Sequence, residues 1–385
     1  MNRDVVYGGS FDPPTFGHLE VISKASKLFD TVRVVVAPNY DKPTSAFSPR
    51  ERVKMIEKMV EGTPFGERVI VSILPPQRYL VDYADDKKCI ALIRGLRDDI
   101  DFNAEQKIDG TNKKIAPHIE TIYIMPSAEL SVVSSSWVKS LVGFKGWKKT
   151  LKGSVSPYVI NELELAWVKK EIHNILDKAH KSRIISLFDF DGIWNRLVET
   201  YQVRPYHNLS HIGDMLTNLN VMWVNNEEVK HDDRYATSAY KVTIMQLATI
   251  FHDFRRSEYD SARYPIDNKL LMFSKEEDSK FFIEMVMATK HDDTNSVTSV
   301  QGSIMADIDL MILASDWEDY KIYAGQIKLE YVGKTCDPVA YVNGRRKFLN
   351  DMIARDHIFH TEYFRKEFDA VAKDNMRKEV AKLSV

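Results

Sequence analysis

The sequence predicts two structural units of different class, an α/β unit with a doubly wound parallel sheet followed by an all-α unit. Short runs of β-branched residues alternate with helical patterns in the first half. From about Glu162 onward the patterns are helical and strand signals are absent. Alternating strands and helices form a parallel sheet covered by helices, whereas consecutive amphipathic helices pack against one another.

The first half contains five predicted strands, which span residues 4–7, 32–37, 69–73, 90–93 and 122–125. The run SPRERVKMIEKMV predicts a helix over residues 48–60, with Ser48 as N-cap and Pro49 in the first turn. Glu51 is placed to complete a capping box. Because such sheets bind ligands outside the carboxyl ends of their strands, we expect the site at that edge.

The composition is that of an ordinary globular protein without a strongly charged partner. The 385 residues carry 53 basic and 55 acidic side chains, a formal charge of -2, which argues against a broad nucleic-acid-binding surface. Cys89 and Cys336 form no disulfide or metal motif, and no apolar run is long enough to span a membrane. We therefore expect a cytoplasmic protein that does not bind a membrane, with no evident nucleic-acid-binding surface apart from any local basic patch.

The most constrained stretch is YGGSFDPPTFGH, residues 7–18, which joins the first strand to the first helix. Gly8 and Gly9 let the backbone approach a ligand without interference from a Cβ. His18 lies at the start of the helix, where the N-terminal amides face the same space. This arrangement suits phosphate, because the imidazole can hydrogen-bond a phosphoryl oxygen as negative charge builds on it.

Three further groups converge on the same edge of the predicted sheet. The motif RGLR, residues 94–97, follows the fourth strand, and its guanidinium groups match phosphate oxygens. A run of serine hydroxyls, residues 134–136, precedes a later helix, and Lys42 lies in the loop after the second strand. Cations, hydroxyls and amides gathered at one edge indicate phosphate chemistry.

These motifs resemble those of the phosphopantetheine adenylyltransferases, a family of the nucleotidyltransferase superfamily. GGSFDPPTFGH is similar to the TxGH form of the superfamily signature, and RGLRDDIDFNAE and APHIETIYIMPSAELSVVSSSWVK follow in the family's order. The match covers roughly residues 3–165 and implies a Rossmann-like nucleotidyltransferase fold. The resemblance also implies transfer of AMP from ATP to 4′-phosphopantetheine in the presence of Mg²⁺, which gives dephospho-CoA and pyrophosphate.

The resemblance implies roles for individual residues of this sequence. It implies that His18, Lys42 and Arg94 are catalytic and act by positioning and charge neutralisation, without an enzyme nucleophile. The implied ATP contacts are Ser10, Phe11, His18, Gly95, Leu96, Arg97, Glu105 and residues 130–136, which include Ser134, Ser135 and Ser136. The implied acceptor contacts are Ser10, Lys42, Leu80 and Arg94.

One stretch departs from the family pattern, KIDGTNKK at residues 107–114. Asp109, Gly110 and Thr111 stand where the family has an apolar helical run, so we expect them to break that helix. We also expect them to make the acceptor side of the site more polar. Nicotinamide mononucleotide therefore stays open as a different acceptor, and so does a catalytically inactive first half that binds nucleotides or drives oligomerisation.

A second set of motifs lies in the helical half, where YHNLSHI, FHD, ATKH and DIDL occur in that order. His207 and His211 are four residues apart, so they share one face of a helix. His252 and Asp253 are adjacent. Imidazole and carboxylate ligands together suit Mn²⁺, Fe²⁺, Zn²⁺ or Mg²⁺. Such an ion acidifies a bound water and polarises a phosphoryl oxygen, which is hydrolytic chemistry.

This order of motifs, continued by EY, GR and IFHT, resembles the HD superfamily of metal-dependent phosphohydrolases over about residues 185–385. The resemblance implies a proton donor to the leaving group, His207. The other implied residues are the metal ligands His211, His252, Asp253 and Asp309, the supporting or second-metal residues His291 and Asp307, and the phosphate contact Arg345. Asp307 is also the rival of Asp309 for the first metal, because periodicity cannot separate two aspartates two residues apart.

The two resemblances together predict a bifunctional enzyme with an adenylyltransferase domain over residues 1–165, a helical connector over 166–184 and an HD phosphohydrolase domain over 185–385. The expected partners are ATP, a phosphorylated small-molecule acceptor and, at the second site, a phosphate ester that the motifs do not identify. Because phosphopantetheine adenylyltransferases form hexamers, we expect a homo-oligomer that assembles through the N-terminal domain.

Overall fold

The computed structural model describes residues 3–37, 45–97, 99–222, 238–291 and 299–383. The chain divides into two compact units, Met1–Ala166 and Trp167–Val385, referred to below as the N-terminal and C-terminal units. None of the helices within these described ranges combines the length and the apolar character that crossing a membrane requires.

A five-stranded parallel sheet forms the centre of the N-terminal unit. Its strands are β1 (Asp4–Gly9), β2 (Thr31–Val36), β3 (Val69–Ile73), β4 (Ala91–Gly95) and β5 (Glu120–Ile124). Their spatial order is β3-β2-β1-β4-β5, so the chain fills one side of β1 before it returns to fill the other. This reversal opens a crevice at the carboxyl ends of β1 and β4, the usual ligand site of such sheets.

Valines dominate the central strands because both faces of the sheet are covered. Val5 and Val6 of β1 and Val34 and Val35 of β2 point to opposite faces, yet all four are fully buried. The helices that cover the sheet and follow it are α1 (Phe16–Leu28), α2 (Pro49–Val60), α3 (Leu80–Asp86), α4 (Asp99–Ile115), α5 (Ala128–Ser131), α6 (Ser135–Leu141) and α7 (Trp147–Leu151). The parallel α/β architecture predicted from the sequence is confirmed.

The start of α2 illustrates how local sequence determines a helix boundary. The Ser48 hydroxyl accepts a hydrogen bond from the Glu51 amide at 3.3 Å, and the Ser48 amide donates to the Glu51 carboxylate at 2.7 Å. Pro49 occupies the first turn, where its missing amide hydrogen costs nothing. The predicted capping box is therefore confirmed.

The division between the units falls within one long helix, α8 (Pro157–Lys181). Val168, Ile172 and Leu176 of this helix are fully buried in the hydrophobic core of the C-terminal unit. Much of the segment that the sequence suggested as a connector therefore contributes to a core.

The described residues of the C-terminal unit form helices joined by loops, with two isolated β-bridges. The helices after α8 are α9 (Phe190–Tyr201), α10 (Leu209–Asn220), α11 (Ala239–Phe251), α12 (Glu258–Asp267), α13 (Glu276–Met287), α14 (Val300–Leu310), α15 (Trp317–Tyr331), α16 (Pro338–Ala354) and α17 (Glu362–Lys382). Helix α11 is central, because its residues from Val242 to Phe251 are all buried. It ends directly before His252, which places that histidine deep in the unit.

Candidate functional site

A cavity of about 620 Å³ opens at the carboxyl ends of β1 and β4 in the N-terminal unit. Its lining includes many residues that the sequence assigned to ATP or to the acceptor. These are Ser10, His18, Leu80, Arg94, Gly95, Arg97, Glu105, Leu130, Ser134, Ser135 and Ser136. The fold thus gathers residues that are up to 126 positions apart in the sequence around one space.

Five residues predicted for this site are not among the cavity-lining residues, namely Phe11, Lys42, Leu96, Ser131 and Val132. Phe11 is buried beneath the site, with its ring centroid 5.0 Å from that of His18. The described contact of Leu96 is structural, since its amide donates to the Ile124 carbonyl at 3.1 Å. A direct contact between either side chain and ATP is therefore not supported by the packing. Lys42 lies outside the described residues.

His18 is held in one orientation and one tautomer. The Thr15 amide donates to the Nδ1 atom of His18 at 2.9 Å, and the Thr15 hydroxyl lies 3.0 Å from the same nitrogen. Because a backbone amide can only donate, Nδ1 carries a lone pair and the ring proton is on Nε2. Burial and the nearby Arg97 guanidinium lower the pKa of His18 to about 4, so the ring is a neutral donor near pH 7.

The loop that carries the signature motif is anchored by groups that the sequence analysis did not identify. The buried Asp12 carboxylate accepts hydrogen bonds from the amides of Ala46 and Phe47 at 3.0 Å each. Lys139 donates to the same carboxylate at 2.8 Å. These partners are 34 to 127 residues away in the sequence, so no local pattern could have predicted them.

A second anchor of the same loop is the buried Arg52 of α2. Its guanidinium donates to the Ser10 carbonyl at 2.7 Å. Burial lowers the pKa of Arg52, although the nearby Asp12 carboxylate opposes this shift. The signature loop is thus anchored by two charged side chains, its own Asp12 and Arg52 of α2.

Gly8 and Gly9 at the end of β1 were expected to let a ligand approach the backbone, but in the structure they make room for other side chains of the protein. A Cβ at Gly8 would lie 2.2 Å from Cδ2 of Leu80, and a Cβ at Gly9 would lie 3.0 Å from Cζ of Phe11. The space that a side chain would need is therefore filled by protein atoms. These glycines allow Leu80 and Phe11 to pack against the strand end, which in turn shapes the cavity.

Arg94 and Arg97 place positive charge at the end of β4. The Nε atom of Arg94 lies 3.0 Å from the Glu105 carboxylate, and its Nη1 donates to the Gly8 carbonyl at 3.3 Å. Arg97 is exposed, lines the cavity and acts electrostatically on His18. Both guanidinium groups therefore belong to the same site as the imidazole.

The three predicted serines differ in their contacts. The Ser134 hydroxyl accepts from the Trp137 amide at 3.0 Å and caps α6. The Ser135 hydroxyl donates to the Pro13 carbonyl at 2.8 Å, which ties α6 to the signature loop. Ser136 also lines the cavity. At least two of the three hydroxyls thus have structural roles in addition to their position at the cavity.

The expected break at Asp109, Gly110 and Thr111 is wrong. Helix α4 runs without interruption from Asp99 to Ile115. The Asp109 carboxylate accepts a hydrogen bond from the Thr121 hydroxyl of β5, which satisfies this polar group within the protein. Of the side chains of this stretch that the structure describes, Ile108 lines the cavity. Tertiary contacts with the neighbouring strand thus outweigh the low helix propensity of aspartate and glycine.

The C-terminal unit brings three predicted metal ligands together. The Nε2 atom of His211 lies 3.0 Å from Asp309 Oδ1 and 3.2 Å from His252 Nε2, and His252 Nε2 lies 3.6 Å from Asp309 Oδ1. Atoms bound at roughly 2.0–2.2 Å to a common ion are separated by distances of this order. Within the described parts of the chain, these are the three side chains whose possible ligand atoms all lie within 4.8 Å of one another.

The hydrogen bonds of His252 leave the correct nitrogen available for a metal. Its Nδ1 lies 2.9 Å from the Thr249 carbonyl, an acceptor, so Nδ1 carries the proton and Nε2 can offer its lone pair. Burial lowers the pKa of His252, but the carboxylates of Asp253 and Asp309 outweigh it and raise that pKa well above the ordinary value. These two carboxylates thus create a site that favours positive charge.

Asp253 and His291 lie at the border of this group. Asp253 Oδ2 lies 3.1 Å from His252 Nε2 and 3.8 Å from His211 Nε2. His291 Nε2 lies 2.8 Å from Asp309 Oδ2, the oxygen that faces away from His211. Burial raises the pKa of Asp309, but the hydrogen bonds of the three histidines lower it well below its ordinary value. His291 therefore holds the Asp309 carboxylate in place.

His207 is oriented by a residue whose role the sequence analysis missed, Glu330 of α15. The Nδ1–H of His207 donates to Glu330 Oε1 at 2.9 Å, and Nε2 faces Asp253 at 3.8 Å. Glu330 Oε2 also accepts from the amides of Tyr206 and His207, at 3.0 and 3.2 Å. Burial lowers the pKa of His207, but Asp253 and Glu330 outweigh it and raise that pKa.

The prediction for Asp307 is wrong. Its buried carboxylate accepts hydrogen bonds from the amides of His360 and Thr361, at 2.6 and 2.9 Å, and from the Thr361 hydroxyl at 2.8 Å. Burial raises the pKa of Asp307 to about 6, although these hydrogen bonds oppose the shift. Asp307 thus anchors the start of α17, and of the two aspartates only Asp309 reaches the histidines.

Arg345 is also placed differently from the prediction. Its Nε and Nη2 donate to both carboxylate oxygens of Glu379, at 2.8 and 3.1 Å, and the pair is buried. Tyr320 donates to the same carboxylate at 2.6 Å. A guanidinium engaged by both oxygens of a buried carboxylate is not available as a phosphate contact, because separating the pair would leave an uncompensated charge.

Comparison with known proteins identifies the family of the chain. The model of the cytidylyltransferase-like family matches residues 6–141. The chain is 33% identical over 170 residues to the phosphopantetheine adenylyltransferase of Buchnera aphidicola subsp. Acyrthosiphon pisum, a match that covers 44% of this chain and 96% of that relative. It is 40% identical to the phosphopantetheine adenylyltransferase of Nautilia profundicola, covering 38% of this chain and 91% of the relative.

Among solved structures, the chain is similar to nicotinic acid mononucleotide adenylyltransferase of Plasmodium falciparum in complex with NaAD. That match has 19% identity and a TM-score of 0.32, and it covers 42% of this chain and 95% of the other. The matches to the two phosphopantetheine adenylyltransferases carry the assignment, because the chain spans nearly the whole of each at 33% and 40% identity. The chain therefore belongs to the phosphopantetheine adenylyltransferase family.

Proposed function

We propose that the N-terminal unit transfers AMP from ATP to 4′-phosphopantetheine, giving dephospho-CoA and pyrophosphate. The observation that carries this proposal is the convergence of neutral His18, Arg94 and Arg97 on one cavity at the switch point of the sheet. The family membership supports the choice of acceptor. So does the apolar Ile108 on the cavity wall, since Asp109 is engaged by Thr121.

In this proposal the phosphate of the acceptor attacks the α-phosphorus of ATP, and pyrophosphate leaves. The Nε2–H of His18 donates to a phosphoryl oxygen as negative charge builds on it, while Arg94 and Arg97 balance the charge of the phosphates. Glu105 and the Gly8 carbonyl orient the Arg94 guanidinium before the substrates bind. No side chain forms a bond to phosphorus, so catalysis consists of positioning and charge stabilisation.

Magnesium fits this cavity as a companion of ATP. Among the described residues that line the cavity, Glu105 is the acidic side chain, and it is paired with Arg94. Mg²⁺ is usually held by substrate phosphates with few protein ligands, and it would supply further charge neutralisation there.

The test is an acceptor panel with the full chain, ATP and Mg²⁺. We expect pyrophosphate and dephospho-CoA with 4′-phosphopantetheine, and no dinucleotide with nicotinamide mononucleotide. Arg94→Ala should raise the KM for the acceptor about tenfold or more, by loss of a charge-assisted phosphate contact. Arg78→Ala, which removes an exposed guanidinium paired with Asp86, is the matched control. Dinucleotide formation in place of dephospho-CoA would overturn the proposed acceptor.

We further propose that the C-terminal unit is a metal-dependent phosphohydrolase of the HD type. The observation that carries this proposal is the close approach of His211, His252 and Asp309, with His252 Nδ1 turned to the Thr249 carbonyl and Nε2 turned to the other two residues. These three residues would hold a divalent ion, with Asp253 beside them. Mn²⁺, Fe²⁺, Zn²⁺ or Mg²⁺ would polarise the phosphate and lower the pKa of a coordinated water.

The remaining residues of this unit supply orientation and a proton. His207 presents Nε2 toward the same space as Asp253, and its raised pKa favours the protonated form that a donor to the leaving group needs. Glu330 holds the opposite nitrogen, which fixes the direction in which the proton is given. The substrate in this proposal is a phosphate ester whose leaving group accepts that proton.

The test combines metal analysis with hydrolysis of p-nitrophenyl phosphate and bis-p-nitrophenyl phosphate in the presence of Mn²⁺. His211→Ala should lose bound metal and hydrolysis together, while ATP–pyrophosphate exchange is retained. His357→Ala removes a histidine whose side chain is 53% exposed and paired with Asp369, and it serves as the control. If the purified chain held no divalent metal and released nitrophenol from neither ester, the phosphohydrolase proposal would be abandoned.

A further inference from the structure

Consecutive residues of β1 face opposite sides of the sheet where the strand meets the N-terminal cavity. Because side chains alternate along a strand, Gly8 lies on one face and Tyr7 and Gly9 lie on the other. A Cβ at Gly8 would meet Leu80 of α3, whereas a Cβ at Gly9 would meet the ring of Phe11. Tyr7 therefore belongs to the face of the sheet that Phe11 covers, and Leu80 belongs to the opposite face.

Tyr7 is a buried residue that also lines the cavity. Its side chain is 5% exposed, and its ring packs edge-on against Phe11, with the two centroids 5.3 Å apart. A Cβ on Gly95, at the end of β4, would lie 3.4 Å from the Tyr7 hydroxyl oxygen. The hydroxyl thus reaches across to the end of the neighbouring strand, where the cavity opens.

The Tyr7 hydroxyl has no hydrogen-bond partner within the part of the chain that the structure describes. A buried tyrosine hydroxyl usually has a partner, because its removal from water is otherwise unfavourable. A phenylalanine ring would fill the same space against Phe11 without that cost. Packing of the strand therefore does not account for the hydroxyl, and a ligand in the cavity would.

The charges around this hydroxyl favour an anionic ligand. Burial raises the pKa of Tyr7, the guanidinium groups of Arg94 and Arg97 lower it, and Glu105 raises it. Two cations thus face one carboxylate, and that carboxylate is paired with Arg94 at 3.0 Å. Arg97 also lowers the pKa of His18, so the same guanidinium group acts on the hydroxyl and on the imidazole.

We propose that the Tyr7 hydroxyl donates a hydrogen bond to a phosphate oxygen of ATP, as a further binding residue of this site. The inference rests on the adenylyl transfer proposed above for the same unit. Arg97 and His18 act beside Tyr7, whereas the apolar Leu80 lies on the opposite face of the sheet and suits the acceptor. The hydroxyl is a neutral donor, so it adds a directed hydrogen bond where the guanidinium groups supply charge.

The experiment compares Tyr7→Phe with the wild-type full chain by titration calorimetry in the presence of Mg²⁺. The affinity for ATP should fall about tenfold, and the affinity for 4′-phosphopantetheine should change by less than about twofold. Without a ligand, the free energy of unfolding should not decrease, because the variant keeps the ring and loses no hydrogen bond within the described chain. Tyr79→Phe removes the hydroxyl of a residue that is 61% exposed, and it should leave both affinities unchanged.

An ATP affinity that is unchanged in Tyr7→Phe would overturn the proposed contact, and so would a loss confined to 4′-phosphopantetheine. A lower free energy of unfolding without ATP would also overturn it, because the hydroxyl would then have a structural role. Formation of dephospho-CoA is measured in parallel on the same samples. If Tyr7→Phe weakens ATP binding but the wild-type chain adenylylates no acceptor, the contact stands and the proposed transfer function fails.

Discussion

The two units use histidine in opposite ways. In the N-terminal cavity, burial and Arg97 lower the pKa of His18 to about 4, and the Thr15 amide fixes its proton on Nε2. In the C-terminal cluster, Asp253 and Asp309 raise the pKa of His252 well above its ordinary value despite burial. The first environment already holds cations and favours the neutral imidazole. The second holds carboxylates and favours a cation.

This difference shows that the sign of the surrounding charge decides whether the lowering of a histidine pKa by burial is reinforced or reversed. His252 is fully buried and His18 is partly buried, and desolvation opposes the charged form in each. His18 has a guanidinium as its charged neighbour, whereas His252 has two carboxylates. In the functions proposed above, His18 donates to a bound phosphate and His252 binds a metal ion.

The largest expected effect separates the two aspartates of α14. Asp309→Asn should lower phosphohydrolysis to the background rate and reduce the metal content, since it removes the carboxylate shared by three histidines. Asp307→Asn should retain the metal and lower the free energy of unfolding by about 1–3 kcal/mol, because its hydrogen bonds to α17 weaken. Metal analysis and thermal unfolding distinguish the variants. If Asp307→Asn lost the metal and Asp309→Asn kept it, Asp307 would be the metal ligand and Asp309 the structural residue.

A second prediction concerns Arg345. Arg345→Gln leaves the Glu379 carboxylate buried without its cation, so the free energy of unfolding of the C-terminal unit should fall by about 3–5 kcal/mol. Hydrogen exchange of peptides from α16 and α17 reports this unit separately from the other. Arg346→Gln, whose guanidinium donates to the Leu383 carbonyl, is the neighbouring control. A large rise in KM without faster exchange would restore Arg345 as a phosphate contact.

A third prediction tests the neutral histidine. His18→Ala should lower ATP–pyrophosphate exchange about 10²–10³-fold, the size of effect that loss of one preorganised donor has in acyl transfer. The control is His118→Ala, whose side chain is 65% exposed and paired with Asp85. Phosphohydrolysis should be unchanged in both variants. Loss of both activities in His18→Ala would contradict the assignment of one site to each unit.

A fourth prediction concerns Glu330. Glu330→Gln should lower kcat of phosphohydrolysis roughly 10–100-fold with little change in KM, since supporting partners of active-site histidines have effects of this size. The metal content should be unchanged, because Glu330 contacts His207 and Arg204 and none of the three clustered ligands. A loss of metal would indicate a role in building the cluster.

The smallest effect is on pH dependence. In the folded chain His18 has a pKa of about 4, against 6.5 for an ordinary histidine, so between these values the unfolded chain binds more protons. Stability should therefore decrease as the pH falls from about 6.5 to about 4. Ring ¹⁵N NMR should show the Nε2–H tautomer of His18 down to about pH 5. Titration of this ring near pH 6.5 would contradict the environment described.

Helix α4 and Arg345 show where prediction from sequence failed. The low helix propensity of Asp109 and Gly110 predicted a break in the helix. In the structure the Asp109 carboxylate accepts a hydrogen bond from Thr121 of β5, and the helix continues. Arg345 follows a family motif, yet Glu379, which is 34 residues away, binds its guanidinium. In both cases the deciding partner lies on another element, where periodicity and motif spacing carry no information.

By itself the sequence determined the class of each unit, the edge of the sheet where cations gather and the histidines that approach one another. The first two follow from alternation, capping residues and helical spacing, which act over a few residues, whereas the histidines were indicated by the resemblance to the HD superfamily. Tertiary structure decided which of two aspartates reaches the histidines, which nitrogen of each imidazole carries the proton and which arginines are held in buried pairs. These depend on distances between groups far apart in the chain, and both electrostatic and hydrogen-bond energies change steeply with such distances.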